Sequence, residues 1–294
     1  MSPVTPAPVA VVVITRDRRT SLLRTLGELA ALPERPRVVV VDNGSTDGTP
    51  GAVAASHRGV DVVALGGNVG PAARNAGVER ALTPVVAFAD DDSWWAPGAL
   101  ARAVELFDAH PRLGLVAARV LVGAAGRLDP TSAAMAASPL PRDPALPGPR
   151  VLGFVACGAI VRVRAFASVG GFDARAGVGG EEALLAIDLA ARGWELCYVD
   201  DVVAHHHPDV SHDRAQRTRN VVRNDLAVAW LRRPLSVALA HTGGAALRAA
   251  RDGGARAGLA QWVRAAPGLL RRRAPVRPEL ERWLRALDDA RAAV

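Results

Sequence analysis

No lysine occurs in the 294 residues, so all 36 basic side chains are arginine. A phosphate loop of the Gly-Lys-Ser/Thr kind cannot be built from such a chain, which excludes an ordinary P-loop nucleotidase. Cysteine is nearly as scarce. Cys157 and Cys197 lie far apart and make neither a metal-ligand pair nor a disulfide framework, which fits a reducing, cytoplasmic setting. No run of about 18 uncharged apolar residues exists, so no transmembrane helix is expected. The chain passes from Met1-Ser2-Pro3 almost directly into an apolar run, without the basic and then apolar pattern of a secretory leader.

Hydrophobic residues make up 50% of the chain, enough for a full core and too many for general disorder. Charge is unevenly shared. Residues 214–294 carry seventeen arginines against six acids, a net of +11, while the rest carries 19 against 23, a net of −4. A basic tail on an acidic body suits an anionic partner, for which we favour a membrane surface over nucleic acid. A lysine-free, Ala/Arg-rich composition would also use arginine as its default polar residue, so the excess alone does not fix the partner.

Short branched-apolar runs alternate with stretches of helical period through the first part of the chain. Residues 9–14 read as a buried strand, and Leu22, Leu23, Leu26 and Leu29 mark a helix over 20–32. Strands follow at 38–41, 60–65, 85–89 and 115–122, with helices at 49–58, 71–81 and 97–110. This order predicts an α/β fold with a mostly parallel central sheet flanked by helices. Ligands of such sheets bind beyond the carboxyl ends of the strands. Polar chemistry should therefore gather just after each strand, and it does.

Thr15, Arg16 and Asp17 follow the first strand, and Asp42-Asn43-Gly44-Ser45-Thr46-Asp47 the second. Gly66-Gly67-Asn68-Val69-Gly70 follows the third, with Arg74 and Asn75 on the helix beyond. The fourth strand ends in Asp90-Asp91-Asp92. Three adjacent carboxylates at a buried strand end repel one another unless a cation or strong donors arrive. Mg²⁺ or Mn²⁺ is the natural remedy, because such ions take oxygen ligands and bridge carboxylates to phosphates. Plainer readings exist for each motif: the triplet as a helix cap, Asp42 to Ser45 as turn chemistry, Arg74 as a solvated helix residue. Four motifs at one rim of a sheet are harder to dismiss together.

Residues 123–149, rich in Pro, Gly, Ala and Ser, read as a long loop. Residues 151–162 read as a strand interrupted at Cys157-Gly158. Val169-Gly170-Gly171-Phe172 and a flexible stretch at 177–180 lead to Glu181-Glu182 and a helix over 183–192. A strand at 194–199 precedes a segment ending in His205-His206-His207. From about residue 213 the pattern is helical. Leu259, Trp262, Val263, Ala266, Leu269 and Leu270 share one face, and Leu280, Trp283, Leu284 and Leu287 another. Such helices pack on the main domain, lie in a membrane interface or pair with a partner. The expected division is a sheet domain over 1–212 and a basic, mainly helical extension over 213–294.

With these residues assembled, the chain resembles the family 2 glycosyltransferases, whose nucleotide-sugar-binding sheet is called the GT-A fold. The resemblance covers residues 9–230 and rests on 11–16, 40–47, Asn68-Val69-Gly70, Arg74-Asn75, 88–92, 169–172, Glu181-Glu182 and His205. It implies that Thr15 and Arg16 line a base pocket, that Asp42 binds the donor nucleoside, and that Asn68 and Arg74 approach ribose and diphosphate. Asp90 and Asp91 would meet the donor, and Asp92 would be the leading ligand of Mg²⁺ or Mn²⁺, with Asp90 and His205 beside it. Glu182, with Glu181 as the alternative, would take the proton of the acceptor hydroxyl.

The implied reaction is metal-dependent transfer from a UDP- or dTDP-sugar, with inversion, to a saccharide, lipid-linked or small-molecule acceptor. Bacterial enzymes of this kind add rhamnose, galactose or related sugars in cell-envelope or secondary-metabolite synthesis. The implied setting is cytoplasmic, at the inner face of the plasma membrane if the basic extension meets lipid. A helix N-terminus stabilises an anion, however, which would lower the pKa of Glu182 and weaken it as a base. A sugar nucleotidyltransferase needs a Gly-rich loop after the first strand and a phosphate-binding lysine, and both are missing. A non-catalytic nucleotide-sugar binder would be expected to lose Asp90, Asp92 or Glu182, and all three are present.

Overall fold

The structure is a computed structural model that describes residues 8–173, 180–208 and 214–292. The domain boundary expected at 212/213 and most of the 177–180 stretch lie outside the described residues. The chain begins with β1 (Val9–Thr15), an almost wholly buried apolar run of the kind a central parallel strand requires. In order there follow α1 (Arg19–Ala30), β2 (Arg37–Asp42), α2 (Thr49–Ser56), β3 (Asp61–Ala64), α3 (Ala73–Ala81) and β4 (Val85–Asp90). Next come β5 (Ser93–Trp95), α4 (Ala99–Ala109), β6 (Leu113–Val122), β7 (Arg127–Leu128), α5 (Pro130–Ala136), β8 (Ala159–Arg162) and α6 (Val163–Ser168). The chain closes with α7 (Glu181–Ala191), β9 (Glu195–His206), α8 (Arg214–Arg232), α9 (Leu235–Ala249), α10 (Gly253–Leu269) and α11 (Pro278–Ala292).

One sheet runs in the order β3-β2-β1-β4-β8-β6-β9-β5, with β7 added to β6. The pairs β3-β2, β2-β1 and β1-β4 are parallel, as is β6-β9. Between these blocks β8 runs antiparallel to both neighbours. Side chains alternate across β1. Val9, Val11 and Val13 join Leu22, Leu26, Leu100 and Phe107 on the α1 and α4 side. Ala10 and Val12 join Val78, Phe166, Leu185 and Leu189 on the other. Gly77 of α3 makes that second layer close: a β-carbon there would sit 2.3 Å from Val12 Cγ1.

Three expected segments differ. The loop expected over 123–149 contains β7 and α5. Asp129 caps α5, its carboxylate accepting from the Thr131 amide at 2.7 Å, and Pro130 opens the first turn. The strand expected over 151–162 is confined to β8, because Ala156–Gly158 form a 3-10 turn. The strand expected to stop at 199 continues as β9 to His206, after its pairing with β6 skips from Val199 to Val203.

The helices after residue 213 pack on the sheet domain. Leu184 of α7 meets Val222 and Leu226 of α8 and Trp262 and Leu269 of α10, while Ile187 meets Leu280 and Leu284 of α11. Both apolar faces expected from periodicity are thus largely buried, although Val263 is exposed. Among the described residues, no helix is long and apolar enough to cross a membrane.

Candidate active site

Parallel pairing sets the rim of the site. Thr15 at the end of β1 lies opposite Asp42 at the end of β2, and Ile14 lies opposite Asp90 at the end of β4. Three strand termini thereby deliver their polar residues to one edge. α3 and α7 close the cavity behind it, which has a volume of about 620 Å³. Thr15, Arg16, Asn68, Arg74, Asp90, Asp91, Asp92, Glu181 and Glu182 all line it. Asp42 and His205 do not.

Two arginines pair with the carboxylate triplet. Arg18 reaches Asp91 Oδ1 through Nε and Asp92 Oδ2 through Nη2, both at 3.1 Å. Arg74, 3% exposed, pairs with Asp90. Thr15 Oγ1 donates to Asp91 Oδ2 at 3.0 Å, so this hydroxyl serves the triplet. Burial, and then the charge of Asp92, raise the Asp91 carboxyl to about 6 against the pull of Arg18. Arg18 was not expected from the sequence. Asp17 adopts φ 52°, and this left-handed turn brings Arg18 to the triplet. A spacing of two residues from Arg16 carries no such signal.

Arg74 is held by the segment that follows α6. Asn75 Nδ2 donates to the Phe172 carbonyl at 2.8 Å, and the Phe172 amide returns a bond to Asn75 Oδ1 at 2.9 Å. The Phe172 ring lies 5.7 Å from the Arg74 guanidinium, a cation–π contact. Phe172 packs in turn on Phe88 and Phe166. The Val169–Phe172 motif thus acts through Arg74. One buried Arg74 nitrogen, Nε, has no partner among protein groups.

The loops after β2 and β3 are stapled by Asn43, which accepts from the Val69 amide at 2.8 Å and donates to the Gly70 carbonyl at 3.0 Å. Asn43 lines the cavity where Asp42 was expected. Asp42 is buried beneath it, one oxygen accepting from the Ser45 amide at 3.1 Å and the other, Oδ1, unpartnered. A buried acceptor without a donor is costly unless a ligand supplies one. Arg16 is half exposed at the mouth, and Asn68 Oδ1 accepts from the Gly70 amide at 2.8 Å.

His206, rather than the expected His205, faces the aspartates: its Nε2 lies 3.4 Å from Asp92 Oδ1. Adjacent residues on a strand point to opposite faces, and His205 instead stacks on Trp94 with ring centroids 5.9 Å apart. Burial would lower the imidazole pKa of His206, but Asp92 outweighs it and the net shift is upward. Asp92 and His206 offer one oxygen and one nitrogen donor side by side. Among the described residues no group of three such side chains is poised around one point. Two protein donors still suit a divalent ion that takes its other ligands from water and phosphate.

Glu181 and Glu182 form the first turn of α7, with Glu181 buried. Burial, and then the neighbouring Glu181, push the Glu182 carboxyl up to about 8, with Arg74 opposing. The low pKa expected from a helix N-terminus is therefore reversed. Desolvation outweighs the helix dipole. Cys157, also unanticipated, lines the cavity as a buried thiol, its pKa pushed up mainly by burial.

A protein-family model described as glycosyl transferase family 2 matches residues 10–170. The chain is 28% identical over 234 residues to an N-acetylglucosaminyl-diphospho-decaprenol L-rhamnosyltransferase of Mycobacterium tuberculosis, covering 67% of this chain and 75% of that one. It resembles a mannosyltransferase of Pyrobaculum calidifontis solved with GDP-Man and Mn²⁺, with a TM-score of 0.57 at 21% identity over 99% of this chain and 88% of that one. It also resembles S. aureus TarS solved with UDP-GlcNAc, with a TM-score of 0.57 at 20% identity over 96% of this chain and 80% of that one. At such identities the structural likeness speaks to the fold alone.

Proposed function

The chain belongs to glycosyl transferase family 2 and is a glycosyltransferase of GT-A fold, and from that premise we propose that it moves a sugar from a UDP- or dTDP-sugar to an acceptor hydroxyl with inversion, in cell-envelope synthesis. One observation carries the reading. Glu182, Arg74 and the aspartate triplet line one cavity at the carboxyl ends of the strands. A relative named for transfer of L-rhamnose to a lipid-linked diphosphate sugar supports a deoxyhexose donor and a lipid-linked acceptor.

In this reading Asn43, seated on the buried Asp42, meets the nucleoside, and Arg74 neutralises the diphosphate. Asp92 and His206 would hold a Mg²⁺ or Mn²⁺ ion, which supplies further positive charge at the leaving group when bound. Glu182, as carboxylate, takes the proton of the acceptor hydroxyl as that oxygen bonds to the anomeric carbon. The bond from that carbon to the diphosphate oxygen breaks, and its electron pair leaves with the nucleoside diphosphate. Attack opposite the leaving group inverts the centre. The raised proton affinity of Glu182 suits it to this work better than an ordinary carboxylate.

A panel of nucleotide sugars, screened by thermal shift with Mn²⁺ and then by mass spectrometry of transfer to a polyprenyl diphosphate sugar, tests the reading. We expect a dTDP- or UDP-sugar to stabilise the protein and be consumed. Glu182→Gln should retain donor binding while transfer falls at least about 100-fold. Undiminished transfer by this variant would move the base to Glu181 or elsewhere.

A further inference from the structure

We propose that α9 is an interfacial anchor that docks the protein flat against an anionic lipid bilayer. The proposal rests on the surface of the helical extension and is independent of the transfer chemistry. α9 packs on α8 and α10 through Ala238, Ala245 and Ala249. An outward flank of the helix carries Leu235, Leu239 and Leu247, which are 52%, 55% and 73% exposed. Gly243, Ala246 and Ala250 lie exposed between them. At about 100° per residue, these six positions fall within an arc of roughly 120°, where exposed Ser236 is the one polar side chain. The helix contains no acidic residue, and its single arginine, Arg248, sits in the last turn. A solvent-facing helix ordinarily turns its charged face outward. This one turns its leucines outward.

The surroundings favour a lipid surface. Arg248 and Arg251 are exposed at the end of the stripe. On α10, Val263 is exposed between exposed Arg256 and Arg264. An apolar stripe edged by arginine matches acyl chains bordered by anionic headgroups. Fifteen residues span about 22 Å of helix, too short to cross a bilayer and long enough to lie in its interface. A second copy of the chain is the poorer fit, because it would bring another arginine rim against this one, each on an extension with a net charge of +11. Docking here also has a use. α9 packs on α8, and α8 on α7, whose first turn carries Glu181 and Glu182, so the bilayer would lie against the helical side of the molecule that supports the cavity.

The test is flotation of the full chain with phosphatidylcholine vesicles, with and without phosphatidylglycerol. We expect binding to the anionic vesicles, weaker binding to the neutral ones, and release by salt. Leu239→Gln with Leu247→Gln should weaken anionic-vesicle binding at least about tenfold. Both side chains are exposed, so the melting temperature should be unchanged. The paired substitutions to Phe should strengthen binding. Arg248→Gln with Arg251→Gln should lower binding and flatten its salt dependence. The proposal fails if anionic vesicles do not float the protein, or if the Gln variant floats as well as its parent. It fails equally if sedimentation shows a dimer that the same two substitutions dissolve.

Discussion

Glu182 shows most directly how one environment sets both a cost and a function. Its carboxyl is raised to about 8 by burial beside Glu181, well above its usual range. A base must be deprotonated to act, so kcat/KM should rise about tenfold per pH unit below 8 and level off above it. Glu182→Gln should remove that limb. The sign for stability is opposite. A carboxyl with a raised folded pKa contributes stability that is present below its unfolded value and lost as pH rises through about 8. Glu182→Gln should therefore melt higher than its parent at pH 9, and an unchanged profile in both assays would remove Glu182 as the base. Much at this scale was legible beforehand, since three consecutive aspartates and a paired glutamate announce themselves. Which histidine faces them was not. That depends on which face of β9 each residue takes, after pairing that skips from Val199 to Val203 and leaves no mark in composition. Arg18 was hidden for a related reason, because the left-handed turn at Asp17 that brings it to the triplet is a property of φ, not of residue spacing.

Elements place these residues through close packing, and α3 is the clearest case. Gly77 sits one turn beyond Arg74, where a β-carbon would lie 2.3 Å from Val12 Cγ1 and 2.9 Å from Val41 Cγ2. Gly77→Ala should lift α3 from β1 and β2 at a cost of about 1–3 kcal/mol. The same movement should carry Arg74 away from Asp90, so donor affinity should fall along with the denaturation midpoint. Full donor affinity in a destabilised Gly77→Ala variant would show that α3 yields without moving Arg74. The strands of the first half were legible because parallel strands buried on both faces read as unbroken apolar runs. α5 was missed even though Asp129 and Pro130 supply a cap and a first turn, because its seven residues sit among Pro, Gly and Ser that suggest a loop. The early part of 151–162 reads as strand because apolar content does not distinguish a buried turn from a strand.

At the scale of the whole molecule, the α/β class and the clustering of chemistry at one rim were readable, whereas the insertion of β8 against two neighbours was not. Long-range pairing leaves no local period. The extension also shares apolar packing with the sheet domain. α7 gives Leu184 to the cluster with α8 and α10, and Ile187 to the cluster with α11. Arg233 at the end of α8 is buried against Glu281 of α11, its two nitrogens 3.0 and 3.1 Å from the carboxylate oxygens, and also meets Asp288. We therefore expect sheet and extension to unfold as one. Arg233→Met should leave Glu281 short of a partner and cost about 3 kcal/mol, the lower end of the range for such pairs because Arg285 still holds Glu281 at 3.0 Å. Denaturant titration followed by both circular dichroism and tryptophan fluorescence separates the cases. A single transition that moves to lower denaturant, coincident by both probes, means that the helices stabilise the catalytic sheet through α7. Two transitions, the first confined to helix content and leaving donor binding intact, would mean that the chain divides near 213 into independent domains, and that α7 needs none of the helices behind it to hold Glu181 and Glu182 in place.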